Sequence, residues 1–286
     1  MAAINAFYVV PGNGEARKEF KVFRKLKTLA KKISIQTSPK QYKNFGFSLL
    51  KDDGSTISHP DTLEDNTKPL SKIWDEDLKD LEFDETLRIF LSKTSENLHN
   101  EPFVYKSIYS IVLGDTAYFE PKENPSKVIS EEGFLTGISK LREESPSASA
   151  DFNIISFDAD KPNRIEVYRG LRPLNVIYSL AWGCFIFSSN HSNKPILAKE
   201  DLLSRQPFLP LDLDPYSAYL ITEDKIHHAD QNLEYGEDLC CGELKSAVKA
   251  KKLLLDFDNK KVYHPNDLLY YSYCPFCGLD IRDLIE

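Results

Sequence analysis

With 286 residues, 41% of them hydrophobic and 28% charged, the chain has the composition of folded globular proteins and not of disordered or fibrous ones. Its formal net charge of −8 and pI near 5.4 exclude a surface that is basic throughout, which argues against general binding to nucleic acid or an anionic membrane. No run approaches the ~18 apolar residues of a membrane span. The start, MAAINAFYVV, lacks a basic region and a small-residue cleavage pattern, so a cytoplasmic protein is expected.

In chain order, residues 4–10 (INAFYVV) read as a strand, PGNGE as a turn, and Phe20, Val22 and Phe23 as part of a returning strand. From Lys25 to Ile33, the residues Leu26, Leu29, Ala30 and Ile33 recur at helical spacing, giving an amphipathic helix with lysines on its outer face. FGFSLL (45–50), a turn at Asp53-Gly54, a short continuation to Ile57, a short helix in PLSKIW (69–74) and a strand in TLRIFLS (86–92) follow. This element order over residues 4–93 resembles a ubiquitin-like β-grasp or Ras-association-like domain. The resemblance implies docking onto another protein through an exposed strand edge or the sheet face. No diglycine tail follows Leu91, so a conjugated modifier is not expected.

One stretch departs from the acidic average. Between Arg17 and Lys32 lie eight basic residues, Arg17, Lys18, Lys21, Arg24, Lys25, Lys27, Lys31 and Lys32, against the single Glu19. A solvated helix face explains such a run. Contact with an acidic partner or with nucleic-acid phosphates is the alternative that the overall charge disfavours.

The polar segment 94–102 (TSENLHNEP) reads as a linker, and a second, mostly antiparallel unit is expected over 103–230. Its elements are a strand at 104–114, a helix over 127–143, a small-residue loop at 144–150, and strands at 152–158, 164–170, 183–189 and 217–224.

Four of the five cysteines fall near the end of the chain, as Cys240-Cys241 and as Cys274-Pro-Phe-Cys277-Gly278. In a cytoplasmic chain such pairs point to metal before disulfides. Two intervening residues turn the second sulfur back toward the first, and glycine lets backbone amides approach the thiolates. Zinc takes four ligands, so the expected set is Cys240, Cys241, Cys274 and Cys277 around a structural Zn2+. Because adjacent cysteines bind one ion less readily than cysteines two apart, His264 is the substitute if Cys240 does not bind. The stretch from CCGELKSAV to YCPFCG also resembles small bacterial and phage zinc proteins. Residues 231–286 are therefore expected to form a zinc-binding module.

In the middle unit, ADFNIISFDADKPNRIEVYRGLRPLNVIYSLAWGCFIFSSNHSN resembles the late sheet of class II glutamine amidotransferases, where a strand leads to an Arg-rich turn, then Pro-Leu, then a strand ending in an Ala-Ser or Ser-Ser step. The matching residues are Arg169, Arg172, Pro173, Leu174, Phe187 and Ser188. That family uses an amino-terminal cysteine with its own α-amine as base, and no cysteine stands near the start of this chain or opens the middle unit. The resemblance therefore implies an inactive relative. A hydrolase or transferase would have to use some of Arg169, Arg172, Ser188 and His191. Cys184, in an apolar run, reads as a buried small hydrophobe.

Together these observations predict an α+β protein of three units: a β-grasp domain (1–93), a mostly antiparallel domain (103–230) joined to it by a linker (94–102), and a zinc-binding tail (231–286). The expected function is non-enzymatic protein–protein interaction in the cytoplasm. An amidotransferase-like activity and nucleic-acid binding through the basic helix are the alternatives.

Overall fold

The apolar run near the start of the chain forms strand β1 (Ala2–Val9), and its residues 3–9 are buried whichever way their side chains face. The computed structural model describes residues 2–11, 21–37, 44–59, 69–95, 102–114, 123–143, 152–170, 174–179, 182–189, 208–211, 213, 217–222, 226–229, 254–256, 261–263 and 270–271. After β1 comes helix α1 (Val22–Thr37). Val22 and Phe23 are thus helical and not part of a returning strand. Val22 belongs to the same buried stripe as Leu26, Leu29, Ala30 and Ile33, so the helix gains a turn by starting there.

Strands β2 (Asn44–Lys51) and β3 (Thr56–His59) form the expected hairpin. Gly54 takes φ +81°, and the Asp53 carboxylate accepts from the Ser55 amide at 2.8 Å. Helix α2 (Leu70–Glu76) and strand β4 (Leu87–Ser95) follow, with β4 running through Thr94 and Ser95, the first residues of the expected linker. The single strand expected at 104–114 is a tight hairpin of β5 (Phe103–Tyr105) and β6 (Ile108–Gly114), with Tyr105 opposite Ile108 and Lys106 at φ +52°. The expected helix at 127–143 is two helices, α3 (Pro125–Glu132) and α4 (Phe134–Glu143), separated by Gly133 at φ +84°. Asn124 caps α3, its side-chain oxygen accepting from the amides of Ser126 and Lys127.

Strands β7 (Phe152–Asp158), β8 (Arg164–Arg169), β9 (Leu174–Ser179), β10 (Cys184–Ser189), β11 (Phe208–Leu211), β12 (Ser217–Thr222) and β13 (Ile226–Ala229) complete two antiparallel sheets. Among the described residues the first sheet runs β11-β9-β10-β1-β4-β2-β3 and the second β13-β12-β8-β7-β6-β5. A third, small sheet joins β14 (Leu254–Asp256), β15 (Lys261–Tyr263) and β16 (Tyr270–Tyr271). None of the described helices is long and apolar enough to cross a membrane.

Strand alternation assigns the layers. Ile4, Ala6 and Tyr8 of β1 join Ile89 and Leu91 of β4 and Phe185 and Phe187 of β10 in a core shared with Tyr109, Ile111, Ile155, Phe157, Ile165 and Val167 of the second sheet. The opposite face of the first sheet, with Phe7, Phe45, Phe47, Phe90 and Ile186, packs on Val22, Leu26 and Leu29 of α1 and on Leu70, Ile73 and Trp74 of α2. On the far side of the second sheet Val112, Ile154 and Tyr168 meet Val128 and Ile129 of α3 and Ile138 and Leu141 of α4. The described chain is therefore four layers, helices outside and two sheets within. Two hydrogen bonds tie the sheets together: the Tyr8 hydroxyl donates to the Asn163 carbonyl at 2.6 Å, and the Thr56 and Tyr109 hydroxyls meet at 2.8 Å.

Strands β1 to β4 and β9 to β11 share the first sheet, because β1 pairs with β10 from Asn5 opposite Ser188 to Val9 opposite Cys184. A polypeptide ending at residue 101 would leave one edge of β1 bare and the inner faces of β1 and β4 uncovered. Such a fragment is expected to aggregate or to melt without a cooperative transition. A monomeric fragment with a sharp transition near that of the intact chain would show that residues 1–93 fold alone.

Candidate functional site

The segment that carries Arg169 and Ser188 runs from β7 to β10, and both side chains are bonded within the frame. Arg169 ends β8, and its guanidinium donates to the Leu213 carbonyl, tying the strand end to the segment before β12. Gly170 follows. Its amide donates at 2.8 Å to the side-chain oxygen of Asn153, which is fully buried on β7. A Cβ at position 170 would stand 2.4 Å from the Phe152 carbonyl oxygen, so only glycine fits this approach of β8 to β7. Arg172 and Pro173 lie outside the described residues. Leu174 opens β9, which pairs with β10 and brings the Ser-Ser step to the centre of the first sheet.

There Ser188 and Ser189 bind β10 to β1. The Ser188 hydroxyl donates to the Asn5 side-chain oxygen at 2.8 Å, with both residues 1% exposed. The Ser189 hydroxyl accepts from the Ile4 amide at 2.8 Å and donates to the Ile4 carbonyl at 3.2 Å. Both hydroxyls are buried, and the partners they bond among the described residues are an amide side chain and the backbone. His191, the remaining candidate, lies outside the described residues. Cys184 is buried in the helix-facing core, as its apolar run implies. Sequence reasoning passed over Asn5 and Asn153, although a lone asparagine within each apolar run was the available signal.

The basic helix is partly tied down. Lys27 donates to the carbonyls of Lys79 and Leu81, both at 2.7 Å, and Lys31 pairs with Asp75 of α2 at 2.5 Å. Partial burial lowers the Lys27 pKa from its ordinary value, Asp80 opposing the shift. At the start of α1 a surface depression of about 420 Å³ is lined by Lys21, Arg24, Phe83, Asp84, Glu85 and Thr86 among others, so its charge is mixed.

The helix-facing side of the second sheet carries a buried carboxylate. Glu166 sits opposite Ser156 and 3.1 Å from the Arg164 guanidinium, with Asp158 and Lys161 nearby. Burial pushes its pKa above the usual carboxylate range, and Arg164 only partly offsets this.

All five candidate zinc ligands, Cys240, Cys241, His264, Cys274 and Cys277, lie outside the described residues. No group of three or more His, Cys, Asp or Glu side chains able to hold a metal occurs among the described ones. The small sheet does fix chain direction. β15 and β16 are antiparallel, with Tyr263 opposite Tyr270, so their C-terminal ends lie at opposite ends of the sheet.

Comparison of the chain with protein-family models and with characterised proteins finds no match.

Two predictions follow from this geometry. Ser188→Ala leaves the buried Asn5 oxygen without its donor and should cost about 1–3 kcal/mol of stability in urea unfolding; an unchanged midpoint would mean that the Ser188–Asn5 bond holds nothing. For Glu166, a folded pKa above the unfolded one means the native state holds the proton more tightly. The stability this contributes is fully present below the unfolded pKa and is lost as pH rises through the folded value. Glu166→Gln should therefore flatten the decline in stability between acid and neutral pH. Superimposable profiles for the two proteins would refute it.

Proposed function

We propose that the protein is a non-enzymatic, cytoplasmic protein-interaction protein whose sandwich presents sheet edges to a protein partner and whose C-terminal residues hold a structural zinc ion. The observation that carries this reading is the use made of the described candidate catalytic groups: Arg169 and Ser188 are both bonded within the fold. Side chains so engaged contribute to the frame, which supports the non-enzymatic reading.

Support for the interaction reading comes from the edge strands. β3 carries Ile57 at 39% exposed, β11 carries Leu209 at 50% and β13 carries Ile226 at 41%. Edges with outward apolar residues suit addition of a partner strand. β3 is the edge that the ubiquitin-like reading of the first ninety residues favours, because it lies in the same β-strand layer as β1 and β4. The acidic net charge and the anchoring of Lys27 and Lys31 weigh against nucleic acid as the partner.

The zinc reading rests on the Cys274-Pro-Phe-Cys277-Gly278 spacing and the distant Cys240-Cys241 pair. Zinc would contribute folding free energy to a segment too small to bury a secure core of its own.

A relationship to class II glutamine amidotransferases is the second reading. It is supported by the order of β8, the Arg169-Gly170 turn, β9 and β10, and by the pairing of β10 with β1. β1 carries no Cys, Ser or Thr, so on this reading too the protein is a scaffold without the nucleophile.

Purified protein is expected to contain about one zinc per chain, lost together with part of the thermal stability in Cys277→Ser, and to release no ammonia from glutamine. Native purification should recover a stoichiometric protein partner that the Ile57→Asp variant does not. Ammonia release abolished by Ser188→Ala would instead establish the enzyme reading, and a Cys277→Ser protein that kept its metal and its midpoint would refute the zinc site.

A further inference from the structure

We propose that a water molecule is bound in a buried polar site on the helix-facing side of the first sheet, held by the hydroxyls of Ser92 and Thr94 on β4. Register places both side chains on the helix-facing side. Phe90, two residues before Ser92, lies in the core against α1 and α2, and so do Phe47 and Phe45, which stand opposite Ser92 and Thr94 on β2. On the other flank, Asn5 of β1 stands opposite Ser92, and Ala3 opposite Thr94. Across β1, Asn5 meets Ser188 of β10.

A polar row therefore crosses three strands of a face that is otherwise aromatic and aliphatic. Ser92 and Thr94 are each 1% exposed, and neither hydroxyl has a hydrogen-bond partner among the described residues. Buried hydroxyls are seldom left in this state, because each has given up its bonds to solvent.

Spacing and charge define the ligand. Residues i and i+2 on a strand lie roughly 6.5–7 Å apart on one face. A single acceptor–donor molecule bonded at about 2.8 Å to each oxygen spans most of that distance. Ala3, opposite Thr94, has the smallest helix-facing side chain of β1. No charged side chain belongs to the row, since Lys93 lies between the two hydroxyls in sequence and faces the other way. An ion would be uncompensated there, whereas water supplies two donors and two acceptors and needs no counter-charge.

The test uses the intact chain with Ser92→Ala, Thr94→Val, the double variant and Thr94→Ser. With a shared water, each single substitution takes away a ligand and leaves the other hydroxyl stranded. Each should lower the melting midpoint by about 2–4 °C, the double variant should lose less than the sum, and Thr94→Ser should restore most of the loss. With no water, deleting an unpaired buried hydroxyl removes a cost. Both singles would then raise the midpoint additively, and the proposal would be overturned. A crystal structure showing density within hydrogen-bond distance of both oxygens would confirm the site directly, and well-ordered side chains with no density between them would refute it.

Discussion

Strand β1 is hydrogen-bonded on both edges and buried on both faces, and the rest of the sandwich is arranged around it. Its edges are taken by β4 from the first ninety-five residues and by β10 from nearly two hundred residues along the chain. One face of β1 meets the second sheet and the other meets α1 and α2. Both strand pairings of β1 are long-range and must be formed against the entropy of closing long loops. The asparagine in its middle and the two serines at the end of β10 add side-chain bonds to the ladder, which fixes register where a one-residue slip would turn Asn5 away from Ser188 and into the core between the sheets.

This placement accounts for the polar residues that looked catalytic in isolation. A Ser-Ser step beside an arginine-rich turn suggests chemistry when only sequence spacing is considered. In three dimensions Ser188 and Ser189 stitch β10 to β1, Arg169 secures the end of β8, and the Asn153–Gly170 bond ties the start of β7 to the residue that follows β8. Each group satisfies a backbone or amide partner that would otherwise be buried unpaired. These bonds give Arg169, Ser188 and Ser189 a role in the frame of the two sheets.

Much of the secondary structure was legible because it rests on local pattern. The runs that form β2, β4, β7, β8, β10 and β12 are β-branched and aromatic, and the lysine-flanked stripe of α1 has helical period. Legibility failed where a tertiary or conformational choice overrides pattern. Val22 and Phe23 read as strand until the stripe they extend is seen to lie on the first sheet. Lys106, with no glycine to announce a turn, adopts a left-handed conformation and splits one apparent strand into a hairpin. β9 is short and polar at Asn175, and it becomes a strand only because β10 and β11 flank it. Sheet membership was the least legible of all, since strand pairing between Asn5 and Ser188 leaves no trace in the residues between them. The cysteine spacing is the opposite case: its chemistry is carried by sequence alone.

The central position of β1 is tested most directly by residue-resolved hydrogen exchange of the native protein. If β1 holds the two halves in one cooperative unit, the amides of Ile4 to Tyr8 in β1, of Ile89 to Ser92 in β4 and of Phe185 to Ser188 in β10 will exchange with the same free energy and the same denaturant dependence. A lower-energy opening that exposes residues 2–95 while β10 stays protected would contradict the account and show that the first ninety-five residues unfold as a separate domain.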